Sequence, residues 1–294
     1  MNGDLESDYC GLVLGTAAVR LLDSRDTFDA LDVVARDPYA NVFVGSRIHA
    51  VGLDSWRLGA EVWGYPAGGT LQSLCYAGAN LVPVGATSAA VEAFAERAIS
   101  QGRRCSSIVG PADAVGALWA LLEPHWGSAR TIRARQPMMV APRRARPEIW
   151  RDQQVRQVAV AELDILLPAS VAMFTEEIGI SPVGPDGGAL YRSRVRELIE
   201  SGRSLARIDG DRVVFKAEIG AVTPRACQVQ GVWVEPALRG RGLAVAGMAA
   251  VVDHALERVA PAVCLYVNDY NAPARAVYRK VGFEEYGTFM SVLF

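Results

Sequence analysis

The segment Arg239-Gly240-Arg241-Gly242 separates a β-rich run ending in Val232-Trp233-Val234 from an apolar, helix-like pattern that begins at Leu243. A turn that opens a helix presents backbone N–H groups without intrahelical partners, and the helix dipole adds partial positive charge there. Glycines let a ligand approach the bare backbone, while Arg239 and Arg241 bring full charges. That combination suits an anion, a diphosphate above all. Taken alone, the same four residues also read as a tight β–α connection with two exposed arginines.

The surroundings add to the first reading. Pro236 breaks off the strand, with three residues between it and Gly240. A strand that ends this way can splay from its neighbour and leave backbone groups for an extended, amide-bearing ligand to bind as an added strand. Asn271 follows about thirty residues on, then Tyr278, then Gly282-Phe283. Tyr278 carries an ionisable phenol, but with Ala274, Val277 and Val281 it also falls on one helical face, as a core residue would.

"VWVEPALRGRGLA" followed by "NAPARAVYRKVGF" resembles the GCN5-related N-acetyltransferases, whose signature Arg/Gln-x-x-Gly-x-Gly/Ala is met by Arg239, Gly242 and Ala244. The resemblance extends through the C-terminal half in element order. It implies that the turn from Arg239 through Gly240, Arg241, Gly242, Leu243, Ala244 and Val245 cradles the pyrophosphate of acetyl-CoA. It implies also that the backbone of Val232, Trp233 and Val234 bonds the pantetheine arm. By the same match Asn271 contacts the cofactor and Tyr278 protonates the departing thiolate.

In such a reaction an amine attacks the thioester carbonyl. A lysine-type amine, with a pKa near 10.4, must first lose a proton, so a general base is needed. Many relatives carry a carboxylate on the central strands, but "RACQVQGVWV" offers Gln228 and Gln230 instead. Glu218 on the preceding strand is the nearest candidate, with an ordinary exposed strand residue as its plainer reading. Glu176 and Glu177, near the helices that usually wall the acceptor site, are further candidates. The resemblance therefore points to an N-acetyltransferase acting on an amine, whether a protein lysine or N-terminus or a small molecule. The missing strand carboxylate keeps open a regulatory protein that senses acyl-CoA and transfers nothing.

These residues need a scaffold, and the patterning gives an α/β class with a mixed sheet (α+β). In the C-terminal half, "VRQVAVAEL" leads a strand into a helix near 162–178, and "ALYRSRVRELIESG" is a helix stopped by Gly202. "SLARIDGDRVVFKAEIG" is a hairpin turning at Asp209-Gly210, and "RACQVQGVWV" a strand. Val245, Met248, Val252, Leu256 and Val259 share one helical face. "VCLYVN" is a strand, "NAPARAVYRKVGF" a helix capped by Asn271 and ended by Gly282, and "FEEYGTFMSVLF" a closing hairpin turning near Gly287.

In the N-terminal half, "EVWGYPAGGTLQSLCYAGANLVPVGA" reads as glycine-broken strands, followed by helix, strand, helix and the strand "RTIRARQPMMV". The same order in both halves suits a divergent internal duplication. The proline- and arginine-rich stretch 136–154 reads as a linker, dividing a degenerate or accessory unit (1–145) from an acetyl-CoA-binding one (146–294). At the matching helix start, "TSAAVEAF" has no arginine or paired glycine, so a cofactor-incompetent N-terminal half is expected.

Composition narrows the rest. The chain has 294 residues, 51% of them hydrophobic, and a net charge of −2, which gives no argument for a nucleic-acid or membrane partner. The five cysteines are odd in number, scattered and without a CxxC pair, so neither zinc nor disulfides are expected. The acidic start lacks a signal peptide's pattern, and a cytoplasmic protein is expected. His49 and His125 have no metal-ligand spacing, His254 reads as a surface or packing residue, and no G-x-S-x-G elbow places a serine nucleophile.

Overall fold

The computed structural model describes residues 18–294. Strand β1 (Arg20–Leu21) leads to helices α1 (Thr27–Ala35), α2 (Val42–Val51) and α3 (Ser55–Leu58). Strands β2 (Glu61–Tyr65), β3 (Ser73–Ala77) and β4 (Asn80–Val84) follow, then α4 (Ser88–Gln101), β5 (Ser107–Pro111), α5 (Ala112–Trp126) and β6 (Thr131–Ala141). The order then repeats with β7 (Arg156–Gln157), α6 (Leu163–Ile178), α7 (Ala189–Glu200), β8 (Ser204–Asp209), β9 (Arg212–Val222) and β10 (Cys227–Val234). The chain closes with α8 (Leu243–Arg258), β11 (Val263–Tyr266), α9 (Ala272–Val281) and β12 (Glu284–Leu293).

All these strands form a single sheet in the order β1-β2-β3-β4-β5-β12-β6-β11-β10-β9-β8-β7. Adding six to each N-terminal strand number turns the list into its own reverse, so the halves are related as duplicates. Each half's last strand is exchanged: β12 lies between β5 and β6, and β6 lies between β12 and β11. Only β4–β5 and β10–β11 are parallel. The outer edges, β1 and β7, are two residues each, and so short an edge offers little template for pairing with another chain.

The exchange corrects two expectations. The last segment is one ten-residue strand rather than a hairpin, and Gly287 sits at a register shift against β6 instead of a turn. The partner expected within the segment comes from the other half. Residues 136–141 belong to β6 rather than to a linker. The connection beyond it is fastened, with Arg151 Nε donating to Asp253 Oδ2 (2.9 Å) and the Ala145 amide to Asp253 Oδ1 (3.2 Å). The Asp209-Gly210 turn, the Asn271 cap and the Gly282 stop are as expected, with Gly210 and Gly282 in the left-handed region.

Two layers of helices cover the C-terminal part of the sheet, and β9 divides between them with a period of two. Phe215, Ala217 and Ile219 pack under α8 with Met248, Val251 and Val252. A side-chain carbon at Gly247 would lie 2.8 Å from the Phe215 ring, so the helix sits tightly on that face. Lys216 and Glu218 point the other way, opposite Trp233 and Gln230 of β10. On that face Trp233 packs with Leu166 and Met173 of α6 and Val195 of α7. Helix α2 reaches across from the N-terminal half, where Ser46 Oγ accepts from the Val222 amide (3.0 Å). Among the described residues no helix is long and apolar enough to cross a membrane.

Candidate functional site

The turn at 239–242 takes its shape from two glycines, Gly240 (φ +77°) and Gly242 (φ +81°), the latter capping α8. A side-chain carbon at either would meet nothing within 4 Å, so backbone conformation, not crowding, is the reason for glycine. Within the chain, the first amide of this region to find a backbone acceptor is that of Val245, which donates to the Gly242 carbonyl (3.1 Å). The amides of Gly240, Arg241, Gly242, Leu243 and Ala244 have no acceptor among the described residues. Five successive open N–H groups at a helix start are an anion cradle.

Arg239 is at the cradle's edge but is not idle. Its Nε donates to the Val234 carbonyl (3.0 Å), and its two terminal nitrogens fork onto both carboxylate oxygens of Glu176 at 2.8 Å each. That pairing holds the Glu176 carboxyl below the usual range, which makes it a poor base. Arg241 is exposed and stands outside the cavity described next. A diphosphate on the cradle would compete with Glu176 for Arg239. Glu176→Gln is therefore expected to tighten CoA binding a few-fold, the scale of an exposed ion pair, whereas Arg239→Glu weakens it at least tenfold. Calorimetric titration with CoA measures both, and parallel changes in the two variants would contradict competition.

Strand β10 has β11 partners only at Cys227 and Gln228. Beyond them the two strands diverge, leaving the β11-facing edge of β10 from Val229 to Val234 without a strand neighbour. A bulge sharpens the divergence: Gly231 and Val232 stand opposite the single residue Ala217. Gly231 takes φ +60° there, and the wholly buried Lys216 holds its carbonyl at 3.2 Å. Between the diverging strands opens a cavity of about 1060 Å³. Its wall includes Val232, Trp233, Val234, Gly240, Gly242, Leu243, Ala244 and Val245 on one side, and Asn271 and Tyr278 on the other. The Trp233 side chain is packed beneath α6, so this residue meets the cleft chiefly by its backbone. The size, the bare edge and the amide cradle fit the pantetheine and diphosphate of a CoA thioester.

Asn271 caps α9, its side-chain oxygen accepting from the Ala274 amide (3.2 Å), which leaves its amide nitrogen for the cavity. Tyr278 is buried and packs against Phe283, yet its hydroxyl has no hydrogen-bond partner among the described residues. Burial, and then the charge of Glu177, pushes its phenol well above the ordinary value. Tyr266 is raised to about 12 by burial, again with Glu177 adding to the rise.

The carboxylates divide by environment. Glu218 is buried, contrary to the exposed strand position that alternation allows, and its Oε1 is 2.6 Å from Lys216 Nζ. Glu177, at the end of α6, lines the same open cleft and keeps about half of its side-chain surface exposed (51%). Burial raises its pKa first, Arg133 opposes the rise, and Glu218 adds to it. The wall also contains Gln136, Tyr191, Tyr266 and Asn268, which sequence patterning did not single out. Gln136 comes from β6, and only knowledge of the strand exchange would bring it here.

The corresponding turn in the N-terminal half is built differently. Thr87, not glycine, caps α4 and its hydroxyl accepts from the Ala90 amide (3.3 Å). Strands β4 and β5 likewise pair only at Asn80 and Leu81, but Val82 and Val84 pack there with Val33, Leu71 and Val109. Cys75, Cys105, Cys227 and Cys264 are buried as free thiols, and Cys10 lies outside the described residues. No group of three or more metal-ligating side chains is found among the described residues.

Residues 188–283 match the model of the acetyltransferase (GNAT) family, and residues 60–166 that of a domain of unknown function (DUF4081). The fold is similar to an acetyltransferase from the GNAT family of Colwellia psychrerythraea, at 14% identity over 94% of this chain and 99% of that one, with a TM-score of 0.55. It is similar also to a Drosophila protein (11% identity, 95% and 99% covered, TM-score 0.65). A tandem GNAT protein from the clavulanic acid biosynthesis pathway matches at 14% identity, 94% and 98% covered, TM-score 0.53. At such identities the likeness is one of fold, and it runs through both halves. No curated protein matches the chain.

Proposed function

We propose, on the premise of the match of residues 188–283 to the acetyltransferase (GNAT) family model, that the protein moves an acetyl group from acetyl-CoA to an amine by direct attack. The observation that carries this reading is the run of open amides from Gly240 to Ala244 at the mouth of a cleft between β10 and β11. Acetyl-CoA supplies the activated acetyl group. The cradle and Arg239 hold its diphosphate, the free edge of β10 pairs with its pantetheine amides, and the Asn271 amide nitrogen donates to it. Cofactor binding is assigned to residues 146–294. The N-terminal unit, 1–145, is assigned no cofactor, in keeping with the Thr87 cap and the packed valines at its matching corner.

Two side chains move protons in this account. Glu177 takes one from the acceptor ammonium, because a carboxylate whose pKa is raised is a stronger base than an ordinary one and loses less when it acts near neutral pH. Tyr278 gives one to the departing sulfur, since a phenol raised by burial stays protonated across the neutral range. Glu218 is the weaker base candidate, because its carboxylate is already engaged by Lys216 at 2.6 Å. Its pairing supports the bulge instead.

Release of free thiol from acetyl-CoA against pooled amines and peptides tests the reaction. Binding of acetyl-CoA with no release to any amine would favour the acyl-CoA-sensing alternative, to which the absence of a carboxylate on β10 also points. Where release occurs, Glu177→Gln is expected to lower it roughly 10²–10⁴-fold. In the wild type kcat/KM falls as pH drops through the raised pKa of Glu177, because only the ionised form accepts a proton. The acid limb therefore lies above the ordinary glutamate range and disappears in Glu177→Gln. An acid limb retained in that variant would move the role elsewhere.

A further inference from the structure

We propose that Arg133, carried by β6 of the N-terminal half, is a positioning residue for Glu177, so that the acceptor end of the cleft is built jointly by both halves. The proposal rests on the reading of Glu177 as the base. Arg133 is nearly buried, its Nη2 donates to the Glu177 carbonyl at 2.6 Å, and its Nη1 is 4.0 Å from the Glu177 carboxylate. Arg130, on the approach to the same strand, donates to the Ile178 carbonyl at 3.3 Å. These carbonyls belong to the last turn of α6, where acceptors lack intrahelical partners and cations are favoured.

Strand β6 fixes the opposite wall as well. Gln136 is buried in the cavity lining, donates to Asn268 Oδ1 (3.0 Å) and accepts from Ser291 Oγ (2.6 Å). One strand of the N-terminal half thus ties down the end of α6 and the segment after β11, on either side of the space where an amine must enter.

The groups facing Glu177 define what Arg133 does there. Lys216 and Glu218 face it from β9, and the phenols of Tyr191, Tyr266 and Tyr278 from α7, β11 and α9. Lys216 is bonded to Glu218, and of the two cations Arg133 is the one that offsets more of the desolvation and of the neighbouring carboxylate. Losing it favours the protonated base.

The test is a carbon-13 carboxyl titration of full-length protein labelled at glutamate Cδ, with Glu177 assigned by its absence in Glu177→Gln. Arg133→Gln is expected to raise the Glu177 midpoint by roughly 1 unit, the low end for removal of an opposite charge at this range. Arg133→Lys is expected to raise it less, since one nitrogen cannot reach carbonyl and carboxylate together. The lysine variant decides alone if the glutamine variant does not fold. An unchanged midpoint in a folded variant overturns the proposal, even if stability drops. The titration needs no acceptor amine, so it is independent of the base assignment. Full thiol release by Glu177→Gln would refute the base while leaving the Arg133 linkage standing.

Discussion

Replacing Tyr278 by phenylalanine is expected to lower thiol release from acetyl-CoA roughly 10²–10⁴-fold, the usual worth of an acid–base group, with cofactor affinity unchanged. The ring packs against Phe283 among the buried residues under α8, and phenylalanine keeps that packing. The hydroxyl has no partner among the described residues, so its removal leaves no orphaned donor or acceptor in the fold. What is lost is a proton that burial and the nearby Glu177 charge keep on the oxygen. Steady-state release and calorimetric titration of the same preparation separate the two quantities. Undiminished release would mean that water protonates the sulfur. Lost affinity with a preserved rate at saturation would mean a binding role.

Cutting the chain at 145/146 has a different and equally large expected effect: the fragment 146–294 does not fold as a soluble monomer. Both neighbours of β12, β5 and β6, lie on the other side of the cut, and β11 loses β6 as well. The fragment would expose the edge of β11 and the whole of β12, with their unpaired backbone groups. Coexpression with the N-terminal piece is expected to restore a one-to-one assembly that binds CoA. Size-exclusion chromatography and circular dichroism of each piece, alone and together, are the measurement. A monomeric, cooperatively folding 146–294 fragment with full-length affinity would contradict the exchange.

That cut marks the limit of what patterning reveals. Gly240, Gly242, Asn271 and Tyr278 were legible because local chemistry demands those residue types: positive φ, a cap and a phenol in a recognisable motif. The helices α6 to α9 and the hairpin β8–β9 were legible for the same reason, through periodicity and punctuation by glycine. The exchange was not, because β6 and β12 look the same in sequence whichever strand they pair with, and Gly287 serves a bulge as readily as a turn. The general-base question was equally opaque. Glu176, Glu177 and Glu218 are alike as letters, and only three-dimensional neighbours distinguish them: a forked arginine for the first, the wall of the cleft beside Arg133 for the second, a buried lysine for the third. Arg133 lies in a segment read simply as a strand and Gln136 at the start of the stretch read as a linker, and their relevance depends on which strand lies beside β11.

All of these assignments depend on where the charged end of the cofactor rests. A crystal structure with CoA bound answers that directly. The prediction is that diphosphate oxygens lie within hydrogen-bonding distance of the amides between Gly240 and Ala244, with Arg239 turned from Glu176 toward them. Well-ordered diphosphate at any other place, with that helix start left bare, would contradict the account.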